Sequence, residues 1–405
     1  MITARRGIFL RKSGGEERRL YRKQAVDVSA TFPGSQVSLS PPASCRNRQL
    51  PNRCVWRERF RTQPPPPDWK DWPRKGGLQA YLSLGEFFRK GVSPMPVKYL
   101  FCAILGSCLT SAAVAAQRSF VSVTGSDANV GSGCAVTTPC RTFGTALSVT
   151  DAGGEILVLS SGGYEAVSVN KSIAIIAPPG VHAGIAVTTG NGISIDTPGA
   201  NVVLRGLSIL GLGGSNGIAM TAGSKLAVEN CVVAGFRSAG VLVTAAAAVR
   251  IHNSLIRDQG AGGIRLSGGA TADISRSKLL GNAYVGVVVE TNSPGMVTRA
   301  SISESMVVGI KDGADWGISA ESYTATGTAL VEVIRSTISN TTKGVVAYST
   351  VGGSSVATLA KSQVNGNVTG MEQLGAGAIF RTPGNNTVRA NEFNSSGTLT
   401  PLAPI

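Results

Sequence analysis

The sequence predicts an all-β chain coiled into a parallel β-helix, a solenoid with three short strands per turn. Two observations carry this reading. First, a Gly followed by an aliphatic residue recurs every 23 residues, at Gly217-Ile218, Gly240-Val241, Gly263-Ile264, Gly286-Val287 and Gly309-Ile310. A fixed period of this size means stacked units, each too small to bury a core alone. Two-helix repeats need longer periods, and the framework of leucine-rich repeats is absent. Second, apolar residues alternate two by two within each unit. Leu226 and Val228 fall on one side, Ala227 and Glu229 on the other, the pattern of a strand with one buried face.

Each turn of the coil can be justified in order. The Gly-aliphatic pair opens the first strand. The second strand ends on an aliphatic residue, at Val228, Ile251, Ile274 and Val297. Three residues later comes a small residue, at Cys231, Ser254, Ser277 and Ala300, which opens the third strand. A spacing of three rather than two requires a bend between them. The bend column reads Gly206, Asn230, Asn253, Arg276, Arg299, Arg335 and Lys361. Gly and Asn accept a left-handed conformation cheaply. Stacked like charges in the second half of that column either fan into solvent or offer a strip to an anionic polymer. The solenoid is expected from about residue 155 to 393, on the order of 50 Å long at about 4.8 Å per coil. A surface tail is expected over 394–405.

The chain before the solenoid differs in kind. Residues 1–94 carry a net charge of +12 and the remaining 311 residues only +3. The high overall charge therefore belongs to this leader, which has a proline run at Pro64–Pro67 and no periodicity. It is expected to be disordered or to lie upstream of the true start. Met95-Pro-Val-Lys98 then opens an apolar run that ends Ala113-Val114-Ala115-Ala116. That is the layout of a secretory signal, 95–116, with an A-x-A cleavage site. The run is too short for a confident membrane span. A secreted or periplasmic mature chain is expected, with no stable membrane insertion and no nucleic-acid partner. Oligomeric state is left open.

An N-terminal cap is expected over 117–154. In an oxidising compartment Cys134 and Cys140 flank a short polar loop and form the obvious disulfide pair. Cys231 occupies a small interior slot and is expected to be inert. Phe143, Ala146, Leu147 and Thr150 share one helical face before Gly153-Gly154. A short amphipathic helix there would cover the open end of the first coil.

Three stretches carry a resemblance: Thr138-Pro-Cys-Arg-Thr-Phe143, Gly153-Gly-Glu-Ile-Leu-Val-Leu159 and Gly162 through Ile173. They are similar to the opening of secreted bacterial right-handed parallel β-helix proteins of the pectin-lyase-like superfamily. Gly384 through Asn391 resembles their last coil. The resemblance implies a single-stranded right-handed parallel β-helix with a short N-terminal capping helix. It implies little about activity, because that superfamily holds polysaccharide lyases, hydrolases, tailspikes and adhesins.

The chemistry is sparse. A glycosidase needs two carboxylates at one sugar bond, and a calcium lyase needs several acidic oxygen ligands. The outward columns of the first strand are mostly small or apolar. Glu229 beside His252 and Arg250 beside Asp273 read as ordinary cross-strand pairs. His182 stands alone and Asp127-Ala-Asn129 reads as a turn. No cofactor and no metal site is expected. From Gly309 to Ser336 the spacing grows to 27 residues rather than 14, which implies 13 extra residues between a first and a second strand. This loop carries Asp312, Asp315, Trp316 and Tyr323, with Glu290 and Lys311 on adjoining rungs. Flat aromatic faces with charged neighbours suit a hydroxylated ligand, and a polysaccharide is the expected partner. A non-catalytic scaffold or polysaccharide-binding module is favoured. A polysaccharide lyase or glycoside hydrolase, and an adhesin or phage-spike-like protein, are the alternatives.

Overall fold

The computed structural model describes residues 116–309 and 316–403. The leader 1–94 and nearly all of the secretory signal lie outside the described residues. Every strand pair is parallel, and the strands assemble into three sheets. The first-strand sheet has ten strands, from Val167–Val169 to Phe393–Ser396. The second-strand sheet has twelve, from Ala116–Val121 to Leu399–Pro401. The third-strand sheet has ten, from Gly162–Tyr164 to Thr387–Arg389. Pairing therefore runs past residue 393, through much of the stretch expected to be a tail.

In the regular coils the aliphatic columns stack in register. Ile218, Val241, Ile264 and Val287 form one, Val228, Ile251 and Ile274 a second, and Val233, Ile256 and Leu279 a third. All of them are fully buried. Burying one such side chain is worth about 1.5–3 kcal/mol, and stacking lets each coil bury residues that it could not cover alone. The Gly of each Gly-aliphatic pair marks a close approach. A Cβ on Gly263 would fall 2.6 Å from the Gly286 carbonyl oxygen, so no larger residue fits without a shift.

The small column is a hydrogen-bond ladder. The Cys231 amide donates to Ser254 Oγ, the Ser254 amide to Ser277 Oγ and the Ser277 amide to Ser305 Oγ. Ser305 and Ser336 continue it to Ser336 and Ser362. Each hydroxyl also donates to a carbonyl two residues back in its own coil, as Ser277 does to Ser275 at 3.0 Å. The fixed geometry of the bend aims each hydroxyl at its neighbour. Asn230, Asn253 and Arg276 sit there at φ of 53°, 47° and 51°.

The ladder corrects the later register. Ser305, not Ala300, follows Ser277, and the step is 28 residues rather than 23. Ile302, not Val297, pairs with Ile274, and Val297 begins its strand exposed. Glu304, not Arg299, takes the left-handed bend, at φ 50°. The run of like charges read in that column is thereby broken. Glu304 lies between two members of that column, 3.0 Å from Arg276 Nε and 3.2 Å from Arg335 Nη2. The Arg276 hydrogen bond, then its charge and those of Arg335, hold the Glu304 carboxyl below its usual range. Gly309-Ile310 likewise does not open a first strand. Gly309 ends a third strand as Gly281 does, and Gly317-Ile318 stacks on Gly286-Val287. The extra residues are therefore not one 13-residue loop after a first strand. They lengthen Val285–Thr291, Val297–Ser303, Trp316–Ser322 and Thr328–Ile334 to seven residues each, with another short insertion before Trp316.

The first coil is closed as expected. Thr142 caps a helix over Phe143–Val149 whose buried face is Phe143, Ala146 and Leu147. Phe143 packs against Tyr164 with ring centroids 5.1 Å apart. Asp127 accepts from the Arg141 and Thr142 amides at 2.9 and 3.0 Å. Partial burial works against its charge, but these amides pull the Asp127 carboxyl below its usual range. Cys134 and Cys140 are bonded to each other, and both adjoin the Ala116–Val121 strand through Phe120.

Candidate functional site

The longest strands of the first-strand sheet build the only dense cluster of charged and aromatic side chains on its outer face among the described residues. They are Val285–Thr291, Trp316–Ser322 and Lys343–Ser349, each of seven residues, followed by Thr369–Leu374. The regular coils have five-residue strands here. The two more residues per strand add an outward position, which holds Glu290, Glu321 and Tyr348. Glu290 pairs in register with Glu321, and Glu321 with Tyr348. One step back, Val288, Ser319, Val346 and Glu372 form the neighbouring outward column.

Three carboxylates here are buried: Glu290 (8% exposed), Glu321 (7%) and Glu372 (7%). A buried charge is costly unless it is paired, and each is treated differently. Arg265 Nη2 lies 3.2 and 3.3 Å from the two oxygens of Glu290. Lys343 Nζ lies 2.9 Å from Glu372 Oε2, an oxygen closed off from solvent. Glu321 has no cation in contact. Ser319 Oγ donates to its Oε1 at 2.5 Å, and the Tyr323 hydroxyl donates to its Oε2. Burial pushes the Glu321 carboxyl above its ordinary 4.5. Those two hydrogen bonds oppose the rise, and the Glu290 charge adds to it. Burial, then the bond and charge of Glu321, push the Tyr323 phenol far above its usual range.

The aromatic residues stand beside this row. Trp316 meets Tyr348 edge-on at 5.5 Å, and Tyr323 meets the same ring at 6.0 Å. The Lys343 ammonium lies over the Trp316 ring, 5.1 Å from its centroid. Tyr284 is 59% exposed, and its carbonyl accepts from the Trp316 amide. The arrangement offers flat apolar faces, carboxylate acceptors and phenolic donors within a few rungs.

Of the residues picked out in the sequence, the fold brings Glu290, Trp316 and Tyr323 together. Trp316 is not a loop residue but the first residue of a strand. Lys311, Asp312 and Asp315 lie outside the described residues. Arg265, Glu321, Lys343, Tyr348 and Glu372 were missed as site members. The available signal was the second Gly-aliphatic pair, Gly317-Ile318, which places Ser319 and Glu321 where the Gly309 register had put Lys311 and Gly313. Elsewhere, Glu229 pairs with Arg205 at 2.7 Å and His252 Nδ1 meets Ser275 Oγ at 3.1 Å, so the two form no dyad with each other. Burial pushes the Cys231 thiol up to about 11, which leaves it unreactive near neutrality. Among the described residues no three His, Cys, Asp or Glu side chains are placed to hold a metal ion. No described helix is long and apolar enough to cross a membrane.

A family model described as "Right handed beta helix region" matches residues 181–303. The fold is a right-handed parallel β-helix. Among solved structures this β-helix is similar to pectate lyase Pel9A, at 16% identity and a TM-score of 0.51. That match covers 70% of this chain and 77% of the lyase. Tailspike protein 2 of Escherichia coli O157:H7 bacteriophage CAB120 is similar at 12% identity and a TM-score of 0.41. There the coverage is 60% of this chain and 36% of the tailspike. No curated protein matches the β-helix in sequence.

Proposed function

We propose that the chain is a secreted or periplasmic polysaccharide-binding β-helix, with its site on the outer face of the first-strand sheet. One observation carries this: Trp316, Tyr323 and Tyr348 gather beside three buried glutamates on the coils whose first strands are the longest among the described residues. Sugar rings stack on flat aromatic faces, and their hydroxyls donate to carboxylate oxygens. The likeness to a pectate lyase supports a β-helix scaffold suited to a carbohydrate chain. The test is affinity electrophoresis of the full chain through a panel of soluble neutral and acidic polysaccharides. Retardation that disappears in Trp316→Ala, with folding intact by circular dichroism, is the expected result. Retardation unchanged by that substitution puts the site elsewhere.

A second reading, glycoside hydrolysis, has one observation in its favour. Glu290 and Glu321 are neighbours, one ion-paired with Arg265 and the other held by hydroxyls with its carboxyl pushed upward. Pairs of carboxyls with divergent environments are how acid and base roles are divided. Release of reducing ends that is lost in Glu321→Gln would establish it.

A further inference from the structure

The ionic pairing within the site bears on which sugars it takes, on the footing that the site binds polysaccharide at all. Two described cations reach it, Arg265 and Lys343. Arg265 is paired with Glu290 and Lys343 with Glu372. A uronate or sulfate would have to draw one of these cations from a carboxylate already in place. It would also bring a third negative charge up to Glu290 and Glu372 in a poorly solvated setting, where like charges repel strongly. The vacant hydrogen-bonding capacity points the other way. Glu372 Oε2 is closed to solvent and turned toward Lys343, so what Glu372 offers a ligand is its other oxygen. Both oxygens of Glu290 face Arg265, but a carboxylate offers about four lone-pair sites and one cation does not fill them. A sugar hydroxyl supplies a donor and a carboxylate cannot.

We infer that the site is selective for neutral, hydroxyl-rich glycans over uronate- or sulfate-bearing ones. Its paired carboxylates, chiefly Glu372, act as acceptors for ring hydroxyls, and its paired cations hold those carboxylates rather than the ligand. Discrimination of this kind comes as much from the repulsive element as from the attractive one.

The experiment measures Kd of the full chain by calorimetry for galactan, mannan and β-glucan oligosaccharides against oligogalacturonate and oligoguluronate of equal length. Only binding that Trp316→Ala removes is counted. The expected result is at least one neutral oligosaccharide bound roughly tenfold or more tighter than either acidic one, with little dependence on salt. Glu372→Gln, which frees Lys343, is expected to weaken the neutral ligand and to raise affinity for oligogalacturonate in low salt. Glu372→Gln that folds normally and leaves both affinities unchanged overturns the assigned acceptor role. Tighter binding of an acidic oligosaccharide by the wild type overturns the inference while leaving the polysaccharide-binding reading intact. Absence of any binding that depends on Trp316 overturns that reading and this one with it.

Discussion

The coils between Asn216 and Leu280 and those between Val285 and Leu374 share one architecture and differ in what they spend it on. The earlier coils repeat every 23 residues, and their ladder steps are 23 and 23. Their outward positions on the first-strand sheet are mostly small or apolar. The later coils step by 28, 31 and 26, and the added residues carry Glu290, Glu321 and Tyr348. Both regions keep the same interior, with Ile251, Ile274, Ile302, Val333 and Leu359 fully buried. A β-helix tolerates length changes at its turns because the stacked columns, not the loops, fix the register. Length added at a turn becomes extra strand on the outer face, where it can serve a ligand.

This comparison can be broken at the interior first. Ile274→Ala is expected to destabilise by about 2–5 kcal/mol, because the stacked neighbours cannot collapse into the space. A change below about 1 kcal/mol in a denaturant titration would show that the column is not close-packed. Ser277→Ala tests the ladder. It leaves the Ser254 amide without its acceptor in a buried position and is expected to cost about 1–3 kcal/mol. No loss of midpoint would mean that the ladder merely accompanies the stacking.

Two further predictions address the later coils. The raised Glu321 carboxyl gives stability a direction with pH. Above the ordinary value of 4.5 the unfolded chain has lost this proton while the folded chain still holds it. Folding stability therefore falls as pH rises from there through the raised value. Glu321→Gln is expected to flatten that part of the pH profile, and parallel profiles for the two proteins would show that Glu321 holds no extra proton. The smallest effect is expected from Glu304→Gln. Its ion pairs are exposed, so the thermal midpoint should stay within error. Freed of Glu304, Arg276 and Arg335 should gain salt-sensitive retention on a polyanionic column; unchanged retention would show that Glu304 does not shield them.

The fold was legible because its cause is periodic. Val228, Ile251 and Ile274 repeat at a fixed spacing, and only stacked coils explain that. The site was half legible. Trp316 and Tyr323 stood out as aromatic residues in a chain with few of them, and Glu290 as an acid after Thr221, Thr244 and Ser267 in a column of small residues. Glu321, Lys343 and Glu372 did not, because they depend on register. Two Gly-aliphatic pairs lie eight residues apart at Gly309 and Gly317, and the constant period favours the wrong one. The hydroxyl column decides between them. Ala300 cannot accept a bond from the Ser277 amide, whereas Ser305 can, and with Ser305 the later coils fall into place.

The serine ladder has a consequence for how such a chain can change. Its bonds all run one way: each hydroxyl receives the amide of the coil before it and gives its own proton to its own coil. A duplicated coil therefore brings one new acceptor and one new amide, and the chain of bonds closes on both sides of the insert. A deletion that removes a fraction of a coil strands an amide on one side. Growth by copying complete turns is thus open to this protein, and trimming within a turn is not, except on the outer edge where Glu290 and Glu321 were gained.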